Sequence, residues 1–368
     1  MHTVLVLGGY GFFGARIAAE LAKTGASRVL VAGRDLDQAR RVARSLGLRS
    51  RSALQLDAAG PNLAETLGAR DVSTVIHSAG PFQGQGYGVA AAAILAGANY
   101  IDLADGRAFV AGIKSLDAAA RGARVTVVSG ASSVPALSSA VVDQYRPAFS
   151  RLDSIRAGIS AGARAPGLAT VQGVFGYCGK PIRRLEHGAW TRTHGWLDLM
   201  RYGFPEPVGE RFLGSVDVPD LELFPARYAG VKTVTFHAGF ASAAGHLAVW
   251  TCAGLVKAGV LPGMSRLAAP LSRLSRRLES VVSDKGGMFV VLEGLGHDGR
   301  PLTRRWHLLV ERNHGPFVPC GAVLALANKL AGGVALPKGA MPCMGLLTVG
   351  EYLAPLKSLA ITVEADPA

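Results

Sequence analysis

A glycine-rich turn follows the first apolar segment of this chain. Thr3–Leu7 is apolar and partly β-branched, a composition typical of a buried parallel strand. Glycine then stands at positions 9, 11 and 14 in the pattern G-x-G-x-x-G, and apolar residues recur at helical spacing after it. Such glycines permit a tight turn, the approach of a pyrophosphate to the backbone and close helix–strand packing. Strand, glycines and helix in this order predict a dinucleotide-binding βα unit.

The same turn supplies the first candidate cofactor contacts. The N-terminus of the predicted helix directs free N–H groups and the positive end of its dipole toward phosphate groups. The candidate cofactor-binding residues of this turn are Gly9, Tyr10, Gly11, Phe12, Phe13 and Gly14.

Arg34 bears on the choice between the two nicotinamide cofactors. The second apolar run ends at Gly33-Arg34-Asp35, where dinucleotide-binding folds place the residue that reads the ribose. An acidic side chain there favours NAD(H), whereas a guanidinium forms bidentate bonds to a 2′-phosphate. Asp35 is interpreted as the N-cap of the next helix. NADP(H) is therefore predicted, and the alternative is that Arg34 is an ordinary surface arginine.

Two later strand ends extend the predicted cofactor site. Asp57 follows a third strand, and its carboxylate is suited either to the adenine amino group or to a backbone turn. Ser78, Ala79, Gly80 and Pro81 follow a fourth strand at its carboxyl end, where open α/β sheets bind ligands. Their small side chains would let the second ribose and the nicotinamide approach the backbone.

The order of elements predicts two domains. Strands and helices alternate up to residue 128, which predicts a Rossmann-type doubly wound parallel sheet, assigned to residues 1–145. Residues 146–368 are predicted to form an α+β substrate domain with a mixed, largely antiparallel sheet, and the C-terminal segment is free to pack back on the first domain. The predicted strands of the second domain are 152–161, 170–174, 231–240, 288–295 and 303–311.

Composition excludes several classes of protein. The 368 residues are 49% hydrophobic and 18% charged, which suffices for two cores and excludes a disordered chain. The formal net charge of +13 is compatible with nucleic acid, anionic lipid or a polyanionic substrate. No motif interleaves aromatic and basic residues, so no nucleic-acid partner is predicted. The sequence allows a homodimer without specifying one.

Cysteine usage and the apolar segments indicate a cytoplasmic protein. Cys178, Cys252, Cys320 and Cys343 lie far apart, so no metal site is predicted and the thiols are interpreted as free in a reducing compartment. A strand begins within the first residues, which indicates no signal peptide. Polar residues interrupt the apolar window 236–262 too often for a transmembrane helix. The amphipathic basic segment 266–282 is interpreted as a solvated surface helix in preference to a membrane-contacting one.

Several of these motifs together resemble the saccharopine dehydrogenase-like family. The resemblance rests on segments 9–14, 33–34, 78–82, 100–102 and 129–143, and weakly on 224–228 and 342–346. It implies an NADP(H)-dependent oxidoreductase with a Rossmann domain and a mixed-sheet second domain. The family includes opine-type imine reductases and lipid-related reductases. In saccharopine reductases we expect an acidic residue in the loop after the sixth strand. The corresponding loop here, residues 130–135, has only serines as polar residues, so saccharopine itself is not expected as substrate.

The function predicted is hydride transfer to or from a C=N bond, or a related C=O or C=C bond. The substrate is a small molecule, anionic or neutral, bound between the domains. The alternatives are a membrane-surface lipid reductase and a non-catalytic NADP-binding sensor or partner protein. His77 and Asp102, at two strand ends, are candidate catalytic residues; either can instead serve packing or cap a turn. The resemblance adds Arg227, in a predicted loop, as an anchor for a substrate carboxylate. The alternative is that Arg227 forms an ion pair with Glu222 or Asp220.

Overall fold

The computed structural model describes residues 2–164, 167–277, 279 and 282–367. Its chain divides into two compact units, the first comprising Met1–Leu137 with Phe317–Pro355 and the second Ser138–Pro316 with Leu356–Ala368. Each unit is built on one β-sheet.

The bounds of the regular elements are as follows. The strands are β1 (Thr3–Leu7), β2 (Arg28–Gly33), β3 (Ala53–Gln55), β4 (Thr74–His77), β5 (Asn99–Asp102), β6 (Thr126–Ser129), β7 (Phe149–Ala161), β8 (Pro181–Glu186), β9 (Ala189–His194), β10 (Met200–Gly203), β11 (Glu210–Ser215), β12 (Thr233–Phe240), β13 (Gly286–Gly296), β14 (Pro301–Val310), β15 (Gly339–Pro342) and β16 (Ile361–Ala365). The helices are α1 (Gly14–Thr24), α2 (Leu36–Ser45), α3 (Leu63–Ala69), α4 (Gly88–Leu95), α5 (Arg107–Gly112), α6 (Asp117–Gly122), α7 (Ser138–Tyr145), α8 (Leu168–Gly176), α9 (Asp220–Arg227), α10 (Ala243–Lys257), α11 (Ala268–Arg277), α12 (Gly321–Ala331) and α13 (Val349–Leu353).

The sheet of the first unit is parallel, in the order β15-β6-β5-β4-β1-β2-β3. Every residue of β1 is buried, because helices cover both faces of a doubly wound sheet. The order reverses beside β1, which pairs with β2 on one side and with β4 on the other. Ligands bind such sheets at the carboxyl ends of the strands around this reversal. The predicted Rossmann-type sheet is confirmed.

Local sequence explains how the first helices begin and end. Ile17, Ala18 and Leu21 form the buried face of α1, and Gly25, with a φ of 63°, ends the helix in a left-handed conformation. The Asp35 side chain accepts hydrogen bonds from the N–H groups of Asp37 and Gln38 at the start of α2. The predicted N-cap role of Asp35 is thereby confirmed, and such a cap stabilises a helix by about 1 kcal/mol.

The sheet of the second unit is mixed. Its main path is β10-β11-β12-β7-β13-β14-β16, and β8 pairs with both β12 and β9. Only the β12–β7 pair is parallel among these named strands. The predicted hairpin is present, because β13 and β14 pair along their length around the turn at Gly299, whose φ is 76°. A largely antiparallel mixed sheet was predicted and is confirmed.

Some predicted elements of this unit are wrong. Segment 170–174 was predicted to be a strand but lies in α8, because a short segment that contains two valines suits either structure and packing against α11 selects the helix. Segment 224–228 was predicted to be a loop, but Phe224–Arg227 forms the last turn of α9. Pro225 has no N–H to donate, and the helix ends two residues after it.

The apolar and basic segments of the second unit form β12, α10 and α11. The basic helix predicted over 266–282 is observed as α11, after a 3-10 turn at Ser265–Leu267, and residues 278, 280 and 281 lie outside the described residues. Among the helices that the structure describes, none combines the length and the apolar character needed to cross a membrane.

Candidate functional site

The glycine turn joins β1 to α1 at the carboxyl end of the parallel sheet. The N–H groups of Gly8 and Gly9 donate to the carbonyl of Ala32 at 2.8 and 3.1 Å, which ties the turn to the end of β2. The Gly11 N–H closes the turn on the carbonyl of Gly8 at 2.8 Å. These bonds hold the turn against the strands on which the helix is packed.

Close packing explains why glycine is required at two of these positions. Gly8 has a φ of 81°, and a Cβ there would lie 3.0 Å from the backbone nitrogen of Ala79. At Gly14 a Cβ would overlap the Gly8 carbonyl oxygen and would lie 2.6 Å from the Ser78 hydroxyl. Gly11 differs, since a Cβ there would meet only the Gly8 carbonyl oxygen, at 3.0 Å. Gly11 therefore leaves open space above the turn.

The turn presents unused hydrogen-bond donors to that space. The first helical bond of α1 runs from the Ala15 N–H to the Gly11 carbonyl at 3.0 Å. The N–H groups of Tyr10, Phe12 and Phe13 lie before it, and within the described residues they donate to no other group. Free N–H groups at a helix N-terminus, together with the helix dipole, form a site for a phosphate or pyrophosphate. The geometry therefore fits the pyrophosphate of a dinucleotide.

Tyr10 and Arg34 lie at the end of β2. The ring of Tyr10 packs over Gly33, where a Cβ would lie 2.8 Å from the phenolic oxygen, and its hydroxyl accepts the Asp35 N–H at 3.0 Å. The Arg34 side chain is exposed, and its guanidinium has no ion pair or hydrogen bond in the described part of the chain. A free guanidinium one residue beyond the strand can bind a 2′-phosphate without giving up another partner.

Asp57 forms a turn after β3. Its carboxylate accepts the N–H of Ala59 at 3.0 Å, and its backbone carbonyl accepts the N–H of Gly60 at 3.0 Å. Of the two roles left open for Asp57, the backbone turn is thus observed, and contact with the adenine stays a prediction.

The loop after β4 carries Ser78, Ala79, Gly80 and Pro81 at the reversal of strand order. The Ser78 hydroxyl donates to the Leu7 carbonyl at 2.9 Å, which fixes the start of the loop beside β1. The Gln85 amide donates to the carbonyls of Ala79 at 3.0 Å and Pro81 at 2.6 Å. The loop is therefore closed on itself and lies next to the glycine turn, as Gly8 and Ala79 are in contact.

The sequence of this unit matches a known domain family. Residues 4–128 match the profile described as saccharopine dehydrogenase NADP binding domain. This segment belongs to that family. The resemblance predicted from the motifs is confirmed for this segment, and the unit carries a nicotinamide-dinucleotide-binding domain. Comparison of the sequence with curated proteins gave no significant match.

Solved structures share the fold. The chain aligns with an apo saccharopine dehydrogenase (L-Glu forming) from Saccharomyces cerevisiae at a TM-score of 0.67, with 14% identity and 100% of both chains covered. An amine dehydrogenase from Mycobacterium smegmatis aligns at a TM-score of 0.47, with 13% identity and 95% of both chains covered. At this level of identity the first similarity establishes the fold and nothing about function, and nothing is concluded from the second.

His77 ends β4 and lies behind the loop of the dinucleotide-binding domain. It is 1% exposed, and its Nδ1 shares a hydrogen bond of 3.0 Å with the Tyr100 hydroxyl. Burial lowers the pKa of His77 to about 4, so the ring is neutral at neutral pH. A neutral buried imidazole is suited to supporting the loop, and a role for His77 as proton donor stays a prediction.

Asp102 ends β5 directly beside His77 in the strand register. Its Oδ1 accepts the N–H groups of Ala104 at 2.9 Å and Gly130 at 2.8 Å and the hydroxyl of Ser129 at 3.0 Å. Burial raises the pKa of Asp102 to about 6, against the opposing effect of these bonds. The carboxylate thus joins the loops after β5 and β6, and a catalytic role for it stays a prediction.

Arg227 lies in the second unit, at the end of α9. Its guanidinium donates to the Asp143 carboxylate of α7 at 2.6 Å, and the Tyr228 hydroxyl donates to the same carboxylate at 2.9 Å. The ion pair is therefore formed with Asp143, and the partners proposed from sequence were Glu222 and Asp220. A substrate carboxylate would have to compete with Asp143, and this anchoring role stays a prediction.

Two contributors to the site were missed by sequence reasoning. Gln85 fixes the loop after β4, and its only sequence signal is a polar side chain in a glycine-rich stretch. Tyr100 holds the His77 ring from the neighbouring strand. Its signal was a tyrosine on a predicted buried strand, since a buried tyrosine hydroxyl needs a partner.

Proposed function

We propose that this protein is an NADP(H)-dependent oxidoreductase that transfers a hydride to or from a C=N bond, or a related C=O or C=C bond, of a small molecule. One observation carries the proposal. The glycine turn of a saccharopine dehydrogenase-type domain holds free N–H groups beside the reversal of strand order, with an unpaired arginine at the end of β2. These groups match the pyrophosphate and the 2′-phosphate of one ligand.

Each part of the proposed site would contact a different part of the cofactor. The N–H groups of Phe12 and Phe13 would hold the pyrophosphate, and Arg34 would pair with the 2′-phosphate. The backbone of Ser78–Pro81 would border the nicotinamide half, since it follows the strand next to β1. When bound, the nicotinamide supplies the hydride chemistry, and the protein supplies position and electrostatics.

The preference for C=N chemistry rests on relatives. The domain family and the aligned enzyme from Saccharomyces cerevisiae are both named for saccharopine dehydrogenase, and saccharopine is a secondary amine. The loop after β6 contains serines and no carboxylate, so a substrate other than saccharopine is expected. With His77 and Asp102 buried, the proton that accompanies the hydride would come from solvent or from the substrate itself.

A panel of substrates tests the reaction class. Purified protein is mixed with NADPH and, in separate reactions, with oxo acids plus amines, with ketones and with enoyl thioesters, and NADPH oxidation is followed by absorbance. We expect turnover with a carbonyl–amine mixture and a much slower reaction with the carbonyl compound alone. Tight NADPH binding without turnover of any class would contradict the enzyme and favour a cofactor-binding sensor or partner protein.

A lipid reductase is the second candidate, because the second unit exposes an unusual apolar face on α10, described below. Turnover confined to the enoyl thioesters, increasing with acyl-chain length, would favour it over the imine reductase.

A further inference from the structure

The outward face of α10 is apolar. His246, Val249 and Ala253 form the buried side of the helix. On the other side Leu247, Trp250 and Leu255 are 37%, 38% and 39% exposed. Surface helices of globular proteins carry charged and polar residues on this side, as α2 does with its arginines. The first charged side chain of α10 is Lys257, at its last residue.

This face continues beyond the helix. The N–H of Val260 donates to the Leu255 carbonyl at 2.9 Å, which folds the following turn against the end of α10 and leaves Val260 67% exposed. Leu267, at the entry to α11, is 40% exposed. We call the exposed side chains of this region the apolar face. Its members are Leu247, Trp250, Leu255, Val260 and Leu267.

Two neighbouring residues, Cys178 and Gly179, contact the chain just before α11 and the last turns of α10. Met264, just before α11, contacts the Cys178 thiol through its sulfur at 3.1 Å. Gly179, which follows Cys178, fits against α10 so closely that a Cβ there would lie 2.7 Å from the Cβ of Val256. One short segment thus links the end of α10 to the entry of α11, and Leu267 of the apolar face directly precedes the basic helix.

The surroundings of the apolar face are positively charged. No aspartate or glutamate occurs between Glu222 and Glu279, and this stretch contains both helices. Lys257, Arg273 and Arg277 are exposed, and within the described residues the two arginines form no ion pair. Apolar side chains beside unpaired basic ones, without acidic residues, are the features of a surface that binds anionic lipid.

We propose that the apolar face and the basic helix α11 dock this protein on an anionic bilayer surface, with the apolar face at the level of the headgroups. A second copy of the chain is the less suitable occupant, because a two-fold interface would bring the same basic groups of both copies together. The proposal does not depend on the reaction that the enzyme catalyses.

Vesicle co-sedimentation of the full-length protein tests the proposal. The probes are vesicles of phosphatidylcholine alone and vesicles in which about one third of the lipid is phosphatidylglycerol. We expect binding to the anionic vesicles, little binding to the neutral ones, and a decline as salt screens the charges. L247S/W250S should bind the anionic vesicles about tenfold more weakly. R273Q/R277Q should bind them about 25-fold more weakly, since each basic side chain near the surface contributes roughly fivefold.

Matched variants control for nonspecific effects. L95S removes a side chain that is 80% exposed in the first unit, and R49Q/R51Q removes two exposed arginines there; both should bind vesicles as the unmodified protein does. NADPH titration of every variant shows whether the chain is folded. The proposal is overturned if the unmodified protein does not bind anionic vesicles, or if the controls weaken binding as much as the test variants. Self-association in sedimentation velocity that L247S/W250S abolishes, without vesicle binding, would assign the face to a second copy.

Discussion

We propose that the choice of cofactor depends on Arg34. Its guanidinium is exposed and unpaired within the described residues, one position beyond β2. If it binds the 2′-phosphate, Arg34→Ala should weaken NADPH binding by about 1.5–3 kcal/mol and leave NADH binding unchanged. Fluorescence titration with both cofactors measures this. Arg51→Ala, at an exposed site before β3, is the matched control, and equal affinity of the unmodified protein for NADPH and NADH would exclude the assignment.

His77 links the stability of the first unit to pH. Its pKa is about 4 in the folded chain, because of burial, and 6.5 is its ordinary value. Between these values the unfolded chain binds a proton that the folded chain does not, so the contribution of His77 to stability falls as the pH is lowered. Asp102, with a pKa raised to about 6, has the opposite effect, since its contribution falls as the pH rises through the same range.

Comparison with a variant isolates the effect of His77. Between about pH 7 and pH 4.5 the unmodified protein should lose about 2–3 kcal/mol of unfolding free energy relative to His77→Gln. Urea unfolding at both pH values gives the two differences. If the difference in unfolding free energy between the two proteins is the same at both pH values, the imidazole titrates as it does in water and is therefore accessible.

At the residue scale, the sequence predicted the contacts that depend on neighbours in the chain. The glycine turn and the Asp35 cap each belong to a motif of a few residues with a local physical reason, and both are observed. The role of Arg34 toward the cofactor stays a prediction. Gln85 and Tyr100 were not predicted, because their importance comes from partners on other segments. The ion-pair partners considered for Arg227 were wrong for the same reason, since its observed partner Asp143 belongs to a distant helix.

The contact between α1 and the loop after β4 is tested at the scale of elements. A Cβ at Gly14 would overlap the Gly8 carbonyl, which cannot withdraw without moving the backbone. It would also lie 2.6 Å from the Ser78 hydroxyl, which could rotate away only by breaking its hydrogen bond to the Leu7 carbonyl. Gly14→Ala should therefore lower the unfolding free energy by about 1–3 kcal/mol. Gly68→Ala in α3 is the control, because a Cβ there meets nothing within 4 Å, and it should be neutral or stabilising by about 0.5–1 kcal/mol. Equal effects in urea unfolding would contradict this packing.

Predicted elements were most accurate where strand and helix alternate along the chain. The parallel strands from β1 to β6 follow one another in sequence, so periodicity and glycines were sufficient. β15 was not predicted, because Gly339–Pro342 is a short segment without alternation that pairs with β6 from the far end of the chain. In the second unit the parallel pair of β12 and β7 likewise depends on contacts between distant segments.

Considered as a whole, the molecule separates its properties between two units. The first carries the parallel sheet with the glycine turn, and the second carries the mixed sheet and the apolar face. The net charge of +13 was uninformative as a total, but its distribution leaves one long stretch of the second unit without acidic residues. This distribution could be read from the sequence, whereas the exposure of the apolar side chains required the structure.

Titration of the unmodified protein and a Gly11→Val variant with NADPH, followed by nicotinamide fluorescence, tests the central claim most directly. Gly11 has open space above the turn, so valine should fill the place of the pyrophosphate while the fold adjusts to one contact of 3.0 Å. We predict saturable binding by the unmodified protein and none by the variant, with matching circular dichroism and urea unfolding. Unchanged NADPH affinity in the folded variant would contradict the account, since the cofactor would then lie elsewhere.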